Sequence, residues 1–334
     1  LLAATAVKDI LAEQGLKGRV RYYGCPAEEG GAAKGFMVRE GCFKGVDIAI
    51  SWHPSSFNRV DDARSLANTR IDFKFIGRAS HASASPHLGR SALDAVELMN
   101  VGVNYMREHM PSDARIHYAV LDTGGVAPNV VQATAKVRYA IRARDLVGLN
   151  QLIARVRNVA EGAALMTETK VESQVVSAVS NLLGNEPLED AMQRVFDRLG
   201  GPQFDEQDRM FAAKIQATLS SEDIQSAYRR QGIPLRPETP LCDWVIPRQT
   251  VGEAMLGSTD VGDVSWSVPT VQARAATFAI GTPLHTWQAT AQGKVPAAHK
   301  AMVHVAKVMA ATAVDALKDP SLIARAKADH EKRL

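Results

Sequence analysis

Two adjacent carboxylates, Glu28 and Glu29, lie between a short β-branched and aromatic run, Val20 to Cys25, and a Gly30-Gly31 turn. Neighbouring carboxylates on a glycine-bounded loop can point in different directions, so that one ligates a metal while the other moves a proton. That division suits amide hydrolysis, in which a divalent ion polarises the carbonyl and a free carboxylate carries a proton from water to the leaving amine. The plain alternative is a pair of solvated loop charges. His53, just past the apolar run Val46 to Trp52, and His285, in the loop Gly281-Thr282-Pro283-Leu284-His285-Thr286-Trp287, are candidate ligands. Each alone reads more readily as a hydrogen-bonded structural histidine; together with the carboxylates they describe a site.

A second group follows a different strand. His81 and His87 lie in a loop of small residues, Gly77 to His87, where a histidine could reach a neighbouring active site and stabilise a tetrahedral oxyanion. The alternative is an exposed loop. Gly124-Gly125-Val126-Ala127-Pro128-Asn129 is a poor phosphate cradle, since it has no Lys-Ser/Thr pair and no following helix; Asn129 could instead orient a substrate carbonyl or carboxylate.

The elements that must position these groups divide into two sets. Leu1 to Gln14 reads as the body of a helix without an N-cap, ended by Gly15 and continued upstream in a longer protein. Val20 to Cys25 and Val46 to Trp52 read as buried strands around a helix, Ala32 to Glu40, so the opening of the chain is part of an α/β sheet whose ligands collect beyond the carboxyl ends of its strands. From Arg70 the pattern changes. Alternating Ile71, Phe73 and Phe75, an amphipathic stretch Ser91 to Met110, then Arg115 to Leu121, Gln132 to Arg142, Leu146 to Ala163 and Lys170 to Ala178 give the order β-α-β-β-α-β of a ferredoxin-like unit. Helices over Leu188 to Leu199, Asp205 to Ala217 and Ser221 to Gln231, a strand Thr270 to Ile280 and a closing helix Ala297 to Lys318 complete the chain.

Composition narrows the partner. The chain has 334 residues, of which 46% are hydrophobic and 22% charged, enough for two cores. Lysine and arginine exceed aspartate and glutamate by only three, and they are scattered, which argues against a nucleic acid or membrane surface and for a small molecule. Three cysteines in unrelated contexts, Cys25, Cys42 and Cys242, argue for the cytoplasm, and no apolar run is long enough for a membrane span.

Taken together, Cys25-Pro26-Ala27-Glu28-Glu29-Gly30-Gly31, His53, Ala79-Ser80-His81-Ala82, Pro86-His87-Leu88-Gly89, Gly125-Val126-Ala127-Pro128-Asn129 and Pro283-Leu284-His285-Thr286-Trp287 occur in the order and spacing of the M20 amidohydrolases, which the chain resembles over most of its length. The stretch Gly257 to Trp266, with the segment Asn181 to Pro247, is most similar to the branch that acts on p-aminobenzoyl-glutamate. The resemblance implies a discontinuous α/β catalytic domain, residues 1–67 and 180–334, into which an α+β dimerisation or lid domain, residues 68–179, is inserted. It implies two divalent ions, zinc or manganese, with Glu29 and His53 on one and His285 on the other, and Glu28 as general acid and base. His81 completes the partner subunit's site, and Asn129 contacts substrate. The remaining ligands are expected in a motif upstream of Leu1, so the metal site within residues 1–334 is expected to be incomplete.

The implied reaction is hydrolysis of an N-acyl or aroyl amino acid, p-aminobenzoyl-glutamate first, giving a carboxylate and a free amino acid. Two alternatives stand beside it: action on other N-acyl amino acids, and a non-catalytic chain that dimerises with a complete relative through its inserted domain. Both a homodimer and a heteromer with a related chain are compatible with the sequence.

Overall fold

A computed structural model describes residues 1–61, 65–253 and 257–334. Helix α1 (Leu2–Gln14) ends at Gly15 in the left-handed region, and Val7 packs it onto the long helix α10 (Pro296–Lys318) beside Ala310 and Val314. Helix α2 (Ala33–Arg39) follows the Gly30-Gly31 turn, and strands β1 (Ala49–Ser55) and β2 (Arg59–Val60) follow it. Both strands flank β7 (Thr270–Ala276), β1 parallel to it and β2 antiparallel, in the order β1-β7-β2.

Val20 to Cys25, expected as a strand, joins no ladder. Its side chains are satisfied locally instead: Tyr23 packs on Phe43 with ring centroids 4.6 Å apart, its hydroxyl donates to the Cys42 carbonyl at 2.9 Å, and Arg21 donates to the Lys44 carbonyl. Alternating β-branched and aromatic residues fit any half-buried surface, whether or not a neighbouring strand is there. The second expected strand starts three residues late and runs further, so His53 lies inside β1, opposite Arg274, rather than beyond its end.

Residues from β3 (Ala67–Ile76) to β6 (Lys170–Val179) form a second, antiparallel sheet in the order β4-β5-β3-β6, with β4 (Arg115–Asp122), β5 (Thr134–Ala143) and two helices, α3 (Ala92–Met106) and α4 (Leu146–Met166). This is the β-α-β-β-α-β order read from the sequence. Burial alternates strictly along β5: Ala135, Val137, Tyr139, Ile141 and Ala143 pack with Ile71, Phe73 and Phe75 of β3 against Met99 of α3 and Val156 of α4. Each such large apolar side chain contributes roughly 1.5–3 kcal/mol by leaving water. The other face is charged, with Asp72 held by Arg138 at 2.6 Å and Lys136 at 2.8 Å. Ser91 and Asp145 cap the two helices by accepting the backbone N–H three residues on.

The return half packs against the first sheet. Helices α5 (Glu186–Leu199), α10 and α11 (Pro320–Arg333) bury Leu188, Met192, Phe196, Val305, Val308 and Leu322 against Val271, Ala273 and Ala275. Helix α11 lies beyond the expected closing helix; Pro320 starts it at the first helical position, behind the Asp319 cap, instead of merely stopping α10. Helices α6 (Glu206–Gln216) and α7 (Ser221–Gln231) carry capping boxes, and two short helices, α8 (Val261–Ser265) and α9 (Trp287–Gln292), lie before and after β7. No described helix is long and apolar enough to cross a membrane.

Candidate metal and amide-hydrolysis site

The Glu28-Glu29 loop is a tight, strained turn. The Ala27 carbonyl accepts from Gly31 and Ala32 N–H, both at 2.9 Å, and the residues at its two ends, Ala27 (φ 58°) and Ala32 (φ 53°), are left-handed although neither is glycine. His285 is left-handed as well, at φ 60°. Non-glycine residues rarely take this conformation, and they cluster where a structure holds a functional group in place.

The turn brings one pair together across 256 positions of sequence: His285 Nε2 stands 4.0 Å from Glu29 Oε2. Two donors each about 2.0–2.2 Å from one ion can span that distance, so the pair fits as two ligands of one metal, a different grouping from the expected one of Glu29 with His53 on one ion and His285 on the other. Both side chains are open to solvent, 76% and 79% exposed. Glu28, half-buried, lies close enough to His53 to favour its protonated form.

His53 is neutral for a physical reason. Burial pushes its pKa down, the Arg274 guanidinium pushes it further down, and the Pro54 carbonyl, Asp61 and Glu28 only partly oppose them. Nδ1 lies 2.6 Å from the Pro54 carbonyl, an acceptor, and 3.5 Å from Arg274 Nη1, a donor; the much shorter contact favours the proton on Nδ1, which leaves the Nε2 lone pair free. That is the tautomer a ligand requires. Arg274 is held in place by Asp61, which accepts from its Nε at 2.6 Å and from Gln272 at 2.6 Å. His53 does not join Glu29 and His285: among the described residues no three histidine, cysteine, aspartate or glutamate side chains gather as a metal would need. The residues present thus fit part of a metal centre.

Across the second sheet, His81 and Asn129 are brought together. His81 bridges Val130, the Asn129 carbonyl accepts from Ala82 N–H at 2.9 Å, and the Ser80 carbonyl accepts from Val131 N–H at 3.0 Å. The His81 ring is oriented by its own loop: Nδ1 accepts from Ser83 N–H at 3.3 Å and Ala84 N–H at 3.2 Å, which leaves the proton on Nε2. An exposed imidazole with an Nε2–H pointing away from its anchor is a hydrogen-bond donor. His87 sits in a short exposed turn, Pro86–Leu88, and its carbonyl accepts from Arg90.

Two of the three cysteines are poor nucleophiles. Burial raises the Cys25 thiol above its ordinary pKa, with Lys34 only partly opposing this, and Cys242, wholly buried, is pushed up to about 12. Neither supplies a thiolate near neutral pH.

Three groups escape a reading of the sequence because their partners are remote. Arg70, on β3, donates to the Glu29 carbonyl at 3.0 Å and so reaches from one sheet's unit to the other's loop. Lys34 gives both its ammonium (2.7 Å) and its backbone N–H (3.1 Å) to the buried Asp260. Asp263 accepts from Ser180. The two aspartates lie in the Gly257 to Trp266 stretch that the sequence marks out without a role.

Comparison with known proteins agrees with this architecture. Residues 63–167 match the model of the M20 peptidase dimerisation domain. The chain is 46% identical over 340 aligned positions to the B subunit of p-aminobenzoyl-glutamate hydrolase from Escherichia coli, covering 99% of this chain and 71% of that protein. It is 28% identical to the A subunit of the same hydrolase, over 50% of this chain and 39% of that one. A solved Bacillus subtilis protein described as a dinuclear metal binding peptidase of the M20 family superposes with a TM-score of 0.54 at 15% identity, covering 93% of this chain and 70% of that one. By its identity to the hydrolase's B subunit over nearly its whole length, the chain belongs to the M20 peptidase family, in the branch of the p-aminobenzoyl-glutamate hydrolase B subunits.

Proposed function

We propose that the protein hydrolyses the amide bond of an N-aroyl amino acid, p-aminobenzoyl-glutamate first, with Glu28 as general acid and base, and that Glu29, His53 and His285 are metal ligands. The observation that carries this reading is the approach of His285 to Glu29 at 4.0 Å, one residue from a carboxylate free to work. The name of the 46% identical relative supplies the substrate.

A divalent ion, zinc or manganese, supplies when bound the Lewis acidity that makes an amide carbonyl open to attack by water near neutral pH. Glu29 and His285 would hold one such ion, and His53, neutral with Nε2 free, would serve as a further ligand, as two-ion chemistry demands. Glu28, adjacent in sequence to a ligand but ligating nothing itself, accepts a proton from the attacking water and returns it to the departing nitrogen of glutamate. His81, through Nε2–H, donates to the carbonyl oxygen as charge develops there; the site it serves is that of a partner subunit, with the β3–β6 unit, residues 68–179, as the dimerisation or lid domain and residues 1–67 and 180–334 as the catalytic domain. Asn129, tied to the same turn, orients the substrate carbonyl or carboxylate.

The partner is a related chain or a second copy. The existence of two kinds of hydrolase chain among the relatives favours a heteromer. Three free thiols fit a cytoplasmic setting. A non-catalytic role within such a complex has one observation in its favour, the likeness of the chain to both a B and an A subunit of one hydrolase. Cleavage of p-aminobenzoyl-glutamate by the purified full-length protein, with and without a co-expressed relative of the A type, in zinc or manganese, decides between them. Metal-dependent release of p-aminobenzoate that vanishes in Glu29→Ala supports the enzyme; activity in the complex that ignores Glu29→Ala supports the non-catalytic role.

A further inference from the structure

The chain passes between the two sheets at two places, before β3 and after β6, and both crossings rest on one short segment. The Leu66 N–H donates to the Gly257 carbonyl at 2.8 Å. On the way back, Asp263 Oδ1 accepts from Ser180 N–H at 3.0 Å and Ser180 Oγ at 2.7 Å, Trp266 Nε1 donates to the Asn181 carbonyl at 2.9 Å, and the Leu183 N–H donates to Ser265 Oγ at 2.9 Å. The two crossings are also tied to each other, by Leu182 N–H on Ser65 Oγ at 3.0 Å. Contact at the seat is close enough to dictate sequence: a Cβ on Gly262 would fall 2.0 Å from the Ser180 carbonyl oxygen.

The same segment grips the Glu28-Glu29 loop from its far end. Asp260, 1% exposed, holds Lys34 by a 2.7 Å ion pair and a 3.1 Å backbone hydrogen bond, which fixes the first turn of α2, five residues after Glu29. A Cβ on Gly35 would meet Asp263 Oδ2 at 3.0 Å, so α2 lies directly against the aspartate that holds Ser180. Asp263 Oδ2 is itself buried without a hydrogen-bond partner among the described residues. A buried carboxylate with one oxygen bare is costly, so the hydrogen bonds from Ser180 to the other oxygen carry the stability of this side chain's position against α2.

We propose that residues 257–266 are a hinge seat that couples the orientation of the β3–β6 unit to the Glu28-Glu29 loop, with Asp260 and Asp263 as positioning residues. The functional meaning of this coupling rests on the reading of Glu28 and Glu29 as catalytic and ligating groups. Movement of the unit pulls on Ser180; Asp263 passes the displacement to Gly35 and to its neighbour Asp260; Lys34 carries it to the loop. Arg70 closes the circuit by joining β3 to the Glu29 carbonyl.

Amide hydrogen exchange on the full chain tests the coupling without reference to turnover. In Asp263→Ala, exchange should quicken about ten-fold at residues 180–183 and also at residues 27–35, while α10 keeps its protection. In Asp263→Asn, which preserves the acceptor for Ser180, both segments should stay near wild type. If Asp263→Ala fails to fold, Ser180→Ala removes only the hydroxyl donor and should give the same paired pattern at smaller size. Faster exchange confined to 180–183, or none in either segment, overturns the proposal. Because the readout is exchange, it fails or succeeds separately from the amidase reading, which Glu28→Gln addresses.

Discussion

Glu29 and His285, from loops 256 residues apart, meet with Oε2 and Nε2 separated by 4.0 Å; His285 is itself left-handed, and Glu29 lies in a turn bounded by the left-handed Ala27 and Ala32. Two exposed groups of this kind gain little from each other alone, since surface pairs of a histidine and a carboxylate are weak. The relationship makes sense if a third body lies between them.

If Glu29 and His285 share an ion, removing either should cost the same affinity. Glu29→Ala and His285→Ala should each weaken zinc or manganese binding by about 10²-fold or more, and the double substitution should cost far less than the product of the two. Calorimetric titration of the metal reads this directly. Independent, additive losses would mean that the two residues serve different ions.

His81 should matter to rate and not to affinity. Its Nδ1 is occupied by Ser83 and Ala84 N–H, so only Nε2–H is left to act on substrate. His81→Ala should lower kcat about 10²–10³-fold with little change in KM, the size expected for one oxyanion donor. A rise in KM with kcat unchanged would assign it to binding. Mixing His81→Ala with Glu28→Gln tests its placement across the dimer: restored activity in hybrid dimers fits the shared site, and none contradicts it.

The acid limb of stability should contain a contribution from Asp72. Its carboxyl is held below the usual carboxylate range, first by the hydrogen bond from Arg138, then by that from Lys136, against the effect of burial. A group with a depressed pKa in the folded state stabilises fully above its unfolded value, about 3.9, and loses that stabilisation as the pH falls through the folded one. Asp72→Asn should therefore cost roughly 1–2 kcal/mol near neutral pH, moderated because both cations are partly exposed, and the gap between variant and wild type should close as the pH falls from about 3.9 through the lowered value of the folded carboxyl. Urea denaturation across pH measures it; a gap independent of pH would refute the assignment.

The second sheet is legible in the sequence because its signals are local and redundant. Strict alternation along 134–143, apolar spacing along α3 and α4, and caps at Ser91 and Asp145 all point the same way. The first sheet is harder to read. Val20 to Cys25 has strand composition yet pairs with nothing, and β1 continues through Pro54 because its ladder is made on one side only, to β7, where a missing N–H on the other side costs nothing. That continuation moves His53 from a loop into a strand.

Within the candidate site, residue types are readable and their grouping is not. Glu28, Glu29 and His285 announce themselves by charge, glycine and proline punctuation. That His285 approaches Glu29 while His53 stands apart depends on contacts 221 to 256 residues long, with Arg274 and Asp61 behind His53. Asp260 and Asp263 are visible as part of an unusual stretch, but their partners, Lys34 and Ser180, lie 226 and 83 residues away, and the pairings are set by packing that no local pattern encodes. The short helix that carries Asp263 is only five residues long, too brief for a periodic signal.

The central claim is that Glu28 moves the proton while Glu29 holds the metal, two neighbouring carboxylates with separate tasks. Comparing Glu28→Gln with Glu29→Gln in one assay of metal content and p-aminobenzoyl-glutamate cleavage tests it most directly. The account predicts that Glu28→Gln keeps its metal and loses at least about 10³-fold in kcat, whereas Glu29→Gln loses metal and activity together. Near-normal turnover in Glu28→Gln, or loss of metal from it equal to that in Glu29→Gln, would contradict the division of labour.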